Sequence, residues 1–233
     1  TLDETMGVIS DIAISYDKTY IICADANKKL YTFYYSDSSW SLLGTPVTLT
    51  PYLADITTTS NIAISYDATT IAIGNSGSGS GVGATIILTR SGSTWTQQGS
   101  SLIGTGYTGT PAQGSSIALS ANGNTLAVGG PTDDTNVGGV WIFTRSGSTW
   151  SQQGSVIISS DHTGAAKEGS SVALSSDGNT LIVGGPADNT NIGAVWVYRR
   201  YYTTWNQQSS KLISNDSTGS TLYQGYDVTA SSD

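Results

Sequence analysis

Tryptophans stand at Trp40, Trp95, Trp150 and Trp205, each 55 residues after the last, and the last three sit in nearly the same stretch of sequence. A fixed period of this length confines the chain to architectures in which one supersecondary unit repeats and each copy leans on its neighbours. The clearest copies open Ser60-Asn61-Ile62-Ala63-Ile64-Ser65, Ser115-Ser116-Ile117-Ala118-Leu119-Ser120 and Ser170-Ser171-Val172-Ala173-Leu174-Ser175. A more diverged copy precedes them, from Ser10-Asp11-Ile12-Ala13-Ile14-Ser15 to Trp40, and a fifth begins at Gln224-Gly225-Tyr226-Asp227-Val228. Residues 1–233 therefore read as a single repeat domain, with copies over about 10–57, 58–112, 113–167 and 168–222 and the start of a fifth at 223–233.

Each copy spells four strands. In the fourth, Ser171–Ser175 alternates apolar and polar residues, Ser176-Asp177-Gly178-Asn179-Thr180 supplies a tight turn, and Leu181–Gly185 resumes an apolar strand. After a polar loop from Pro186 to Asn191, Ile192–Tyr198 makes a third strand, and the stretch from Trp205 to Ile213 a fourth, more polar one. An apolar-to-polar order of four short strands is the pattern of a propeller blade whose first strand lies near the axis. The expected fold is all-β: a β-propeller of four-stranded antiparallel blades of about 55 residues, either complete or part of a larger propeller or array.

Several periodic residues follow from such a sheet. Arg90, Arg145 and Arg200 each precede a tryptophan by five positions across a turn, so arginine and indole flank one hairpin and the guanidinium can lie over the ring. Asp17, Asp67, Asn122 and Asp177 fall in the turn between the first two strands, where an Asx side chain bonds its own backbone. The single cysteine, Cys23, lies in an apolar run and reads as a small buried hydrophobe.

Charge narrows the function. The chain carries nine basic residues and a net charge of −8, which does not suit neutralising phosphates, so nucleic acid is not an expected partner and the acidity reads as serving solubility. No run of about 18 apolar residues is present, so membrane insertion is not expected. The chain opens on Thr1, which suggests a processed or excised segment.

Catalysis has little to work with. A sugar hydrolase uses paired carboxyl groups, and the chain holds two glutamates, Glu4 and Glu168. The Ser-Gly-Ser-Thr-Trp turns are similar to the Asp-box of sialidase-type propellers but lack its aspartate. His162 is the only histidine, so a site of several imidazoles is excluded, and its loop position reads as exposed. No glycine-rich phosphate loop ends in Gly-Lys-Ser/Thr. The expectation is a protein that is not an enzyme and needs no cofactor.

The third and fourth copies carry Gly129-Gly130-Pro131 and Gly184-Gly185-Pro186, followed by Gly139-Val140-Trp141-Ile142-Phe143 and Gly193-Ala194-Val195-Trp196-Val197-Tyr198. In these residues the chain resembles the FG-GAP repeat, the blade of integrin α-chain propellers, with Gln113-Gly114, Glu168-Gly169 and Gln224-Gly225 in place of Phe-Gly. The resemblance implies an extracellular or cell-surface recognition and adhesion module with a protein or glycan ligand. It also implies calcium in the blade loops, for which the nearest positions are Asp133, Asp134 and Asn136, and Asp188, Asn189 and Asn191, a set sparser in carboxylates than the family's Asp-x-Asp-x-Asp-Gly. The alternative reading is a structural segment of a surface filament, sheath or appendage whose partners are copies of itself; a propeller glycosidase is the third. Asn215-Asp216-Ser217 is the one N-glycosylation sequon.

Overall fold

The computed structural model describes residues 6–49, 61–214 and 221–231. The first sheet contains β1 (Ile9–Ile14), β2 (Tyr20–Asp25), β3 (Lys29–Ser36), β4 (Ser39–Leu42) and a short β5 (Val47–Thr48) that also pairs with β3. The second holds β6 (Asn61–Ile64), β7 (Thr70–Asn75), β8 (Ala84–Ser91) and β9 (Thr94–Gln97). The third holds β10 (Ser116–Leu119), β11 (Thr125–Gly130), β12 (Gly139–Ser146) and β13 (Thr149–Gln152), and the fourth β14 (Ser171–Leu174), β15 (Thr180–Gly185), β16 (Ala194–Tyr201) and β17 (Thr204–Gln207). Every sheet is antiparallel, and apart from β5 the strands of each lie in sequence order, the meander expected of a blade.

The turn chemistry explains the first hairpin of each blade. The hydroxyls of Ser15, Ser65, Ser120 and Ser175 donate to Asp17, Asp67, Asn122 and Asp177, and the same Asx oxygens accept the backbone N–H two residues on. The loop between second and third strands is a tight turn at Asp133–Asn136 and Asp188–Asn191, its central pairs Asp134-Thr135 and Asn189-Thr190 in left-handed conformation. A glycine closes it: Gly138 has φ +83°, and a Cβ there would collide with the Glu168 carbonyl oxygen, where that strand meets the start of the next repeat.

Burial lies between blades rather than within them. In the third blade the second strand reads as a continuous apolar run with all of Thr125–Gly130 buried, because it is covered on both faces, by the second blade and by the fourth. One cluster joins Ile22, Ala24 and Leu30 to Ile71, Ile73, Ile86 and Leu88; equivalent clusters join blades two and three around Trp141 and blades three and four around Trp196. Cys23 is buried, as expected. The inner strands pack in succession, β1 on β6, β6 on β10 and β10 on β14. Backbone bonds link their ends: Tyr66 N–H donates to Ala121 O at 2.8 Å, and Ala121 N–H to Ser176 O at 3.0 Å.

The fifth copy behaves differently from its model in the sequence. Tyr226–Ser231 sits beside β14, with Ser171 Oγ donating to Asp227 and accepting from Val228 N–H, yet it forms no strand among the described residues.

Candidate functional site: the loop end of the blades

At one end of the molecule the inter-repeat loops and the tight turns meet. Thr108 N–H donates to Asp133 Oδ1 and Thr163 N–H to Asp188 Oδ1, both at 2.6 Å. Asp134 and Asn189 return the bond through their own N–H groups to Thr108 O and Thr163 O, and Lys167 and Glu168 donate to Asn136 O and Val137 O. The bases of these loops are therefore locked, while the tips at Tyr107–Thr110, Asp134–Asn136, Thr163–Ala165 and Asn189-Thr190 are exposed. The sequence marks these loops, and favours turn chemistry over calcium for their Asp and Asn residues, but does not show the lock, because Thr108 and Thr163 each lie 25 residues from the aspartate that holds them.

The six residues singled out for calcium divide accordingly. Asp133 and Asp188 are buried and turned inward, whereas Asp134, Asn136 and Asn189 are exposed and Asn191 half-buried. Asp188 Oδ2 also holds Lys211 Nζ at 2.6 Å. Among the described residues no three of His, Cys, Asp and Glu gather as a metal group. Burial raises the Asp133 carboxyl above its ordinary range, more than the Thr108 N–H draws it down. Asn215 lies outside the described residues.

Glu168, the carboxyl a glycosidase would have used, is fully buried. Its oxygens accept from Ser159 N–H at 2.9 Å and from Ser159 Oγ at 2.5 Å. The same place in the preceding repeat is Gln113, which accepts from Gly104 N–H and donates to Gly104 O, and in the following one Gln224, which accepts from Ser214 N–H. Burial pushes Glu168 up to about 7, against the Ser159 donors and His162, with Asp188 adding to the rise. The signal was in the register: two of three equivalent positions are glutamine, so the position calls for a neutral amide or acid that ties down a loop. His162 is half-buried, its Nδ1 3.2 Å from Gly164 O.

Around Asp161, burial acts to raise the carboxyl, but donors from Lys211 N–H, Gln207 and the Trp196 indole together hold it below its ordinary value. Trp141 makes the equivalent anchor to Thr105 O. Both indoles lie over glycines: a Cβ on Gly130 or Gly185 would meet the six-membered ring at 2.7 or 2.6 Å. At the same register blade two has Asn75 and Ile86 instead.

The arginine and tryptophan pairs form as the hairpin register demands. Arg90 pairs with Trp95, Arg145 with Trp150 and Arg200 with Trp205 across the outer hairpins, with guanidinium carbons 5.8, 5.5 and 5.5 Å from the indole centroids. In the first blade Tyr35 takes the arginine position and its ring stands 5.3 Å from Trp40. Each arginine also reaches the blade before it, Arg90 over the Tyr20 ring, Arg145 to Thr70 Oγ1 and Arg200 to Thr125 Oγ1.

At the opposite end, where the inner hairpins turn, all four blades and Ala230 and Ser231 line one cavity of about 330 Å³. Ile14, Ile64, Leu119 and Leu174 contribute its apolar lining, and Tyr16 and Tyr66 stack at 5.0 Å beside it.

No family model matches the sequence, and no curated protein matches it. Among solved structures the chain is similar to one described as a putative TolB from Agrobacterium tumefaciens, with a TM-score of 0.51 and 15% identity over 88% of this chain and 62% of that one. It is also similar to Kuenenia stuttgartiensis hydrazine synthase, with a TM-score of 0.51 and 13% identity over 85% of this chain and 47% of that one. The chain thus spans less than two thirds of either neighbour. Both neighbours are β-propeller-like, and with four antiparallel four-stranded blades in succession this chain has a β-propeller fold.

Proposed function

We propose that this protein is a non-catalytic recognition module, built from FG-GAP-type blades, that works outside the cell and binds a protein or glycan ligand at the loop end. The observation that carries this reading is the contrast between locked loop bases and exposed tips. Asp133 and Asp188 fix the turns from below, leaving Asp134, Thr135, Asn136, Asn189 and Thr190 displayed beside Tyr107 and Thr163. Tips of differing sequence on a rigid scaffold bind without a large ordering cost. Glu168, committed to Ser159, offers no acid to a substrate. The test is a glycan array and a pull-down from surface-protein extracts, comparing the native chain with a variant whose tips Asp134–Asn136 and Asn189-Thr190 are replaced by alanine and glycine. Retention of all binding by the tip variant refutes this placement.

A second reading has its own observation. The face that blades two to four press onto the preceding blade is open on the first: Ile12 is 59%, Ile14 53% and Trp40 42% exposed, against 4% for Trp95. Such a face favours assembly with copies of the chain. Light scattering across a concentration series tests it, and a strictly monomeric species at high concentration removes it.

A further inference from the structure

Two grooves open at the rim, one between blades two and three and one between blades three and four. The first, about 480 Å³, has Leu102 and Phe143 on its floor, Trp150 as a wall and Ser100, Ser101 and Thr149 at its edges. The second, about 300 Å³, repeats the plan with Ile157, Tyr198 and Trp205, edged by Ser155, Thr203 and Thr204. Both volumes fall at the small end of ligand-sized sites. No charged side chain lines either groove.

The walls are held ready. Trp150 Nε1 donates to Gln98 Oε1 at 3.0 Å and Trp205 Nε1 to Gln153 Oε1 at 3.1 Å, and an arginine covers part of each indole. A ligand meeting these rings has little side-chain freedom to quench. The first junction supplies a contrast. There Trp95 is 4% exposed with its Nε1 bonded to Thr32 Oγ1, and Gly44 lies so close to Ser93 that a Cβ would come within 2.9 Å of the Ser93 Cβ. The open grooves are thus a property of the two later junctions.

An aromatic wall, an apolar floor and an edge of hydroxyls and amides without charge match a molecule with C–H faces and many neutral hydroxyls. The arginine behind each indole is already bonded to its own neighbours, Arg145 to Asn124, Thr70 and Gln98 and Arg200 to Asn179 and Thr125, and no carboxylate lines either groove, so these residues favour neither an anion nor a cation. We propose that the two rim grooves are binding sites for neutral saccharides, distinct from the loop end, and that their recurrence lets one chain engage two units of a repetitive glycan.

Isothermal titration with short neutral gluco-, manno-, galacto- and xylo-oligosaccharides, and with uronic-acid oligomers as the charged comparison, tests this. The native chain is expected to bind at least one neutral series at two sites. Ile103→Asp and Ile158→Asp, at groove residues 48% and 37% exposed, each place a charge in one groove with little cost to folding. Each is expected to reduce the stoichiometry from two to one, and the pair to abolish binding, while circular dichroism stays native. Trp150→Phe, which keeps an aromatic wall but loses the indole N–H, is expected to weaken the first site alone. No binding of any neutral series, binding of uronic-acid oligomers only, or binding indifferent to both aspartates overturns the proposal. The loop-tip variant leaves both grooves untouched, so the recognition reading and this one fail separately.

Discussion

Replacing Glu168 by glutamine should make the fold more stable above neutral pH and almost unchanged near pH 4. The carboxyl is fully buried, tied to Ser159, and raised from its ordinary 4.5 to about 7 chiefly by burial. A carboxyl whose folded-state value is raised binds its proton more tightly folded than unfolded. Its stabilising contribution is therefore complete below about 4.5, declines as pH rises, and is gone above about 7. The span corresponds to about 3 kcal/mol, and for a chain of this size to a melting-temperature difference of roughly 6–12 °C. Gln113, at the same place in the preceding repeat, shows how the amide fits, accepting from one backbone N–H and donating to the carbonyl of the same residue.

The assay is urea and thermal unfolding of the native chain and E168Q from pH 4 to 8.5, reading the difference between the two. Differencing removes the aspartates held low at the inner turns, Asp17, Asp67 and Asp177, whose stabilisation is lost as pH falls below about 4 in both proteins. The two curves should meet near pH 4.5 and separate through pH 7, with E168Q the more stable. The reciprocal Q113E should install a similar pH dependence one blade earlier. Parallel curves across the range, or E168Q uniformly less stable, would refute the reasoning, because either would mean that the ionised carboxylate is the form the loop requires.

Arg145→Ala removes the indole contact and the bonds to Asn124, Thr70 and Gln98, and is expected to cost about 1–2 kcal/mol in urea unfolding; lysine, without the planar fork, should not restore it. Lys211→Met leaves Asp188 buried without its counter-ion and is expected to cost about 3 kcal/mol, most of it recovered by adding Asp188→Asn. Millimolar calcium is expected to leave the melting temperature within about 1 °C, since the Asp133 and Asp188 oxygens already serve Thr108, Thr163 and Lys211; a saturable rise would favour the calcium reading instead. Hydrogen exchange is expected to reach the amides of Ile22–Ala24 before those of Ala127–Gly129, because the first blade has one covered face and the third has two.

The blade itself was legible. Period-two alternation, Asx turns and an arginine five residues before Trp95, Trp150 and Trp205 are local signals, and local hydrogen-bond geometry decides them. Third-strand limits were harder to read: the pattern begins at Ile192, while β16 starts at Ala194, because Ile192 and Gly193 belong to the turn that closes on Gln224. What could not be read is what one blade does to the next. The reach of Arg145 to Thr70 spans 75 residues, and no periodicity within a repeat announces it. The loop lock was hidden for a different reason: an aspartate that caps a neighbour's backbone and one that binds a cation look alike until its partners are known.

Repetition then sharpens the meaning of each departure from it. Positions that stay constant, such as the tryptophans of the outer hairpins, are accounted for by packing. Where the register changes residue, the chemistry changes with it. Lys211 stands where the earlier copies have Val156 and Ser101, and it turns the buried Asp188 into an ion pair, whereas Asp133, without such a neighbour, is pushed by burial toward its neutral form. Glu168 stands where the flanking copies have glutamine, and it makes one junction sensitive to pH. Gly44 closes on Ser93 at the first junction, while the later two keep open grooves walled by Trp150 and Trp205. One backbone plan thus produces junctions that differ in charge, in response to pH and in openness.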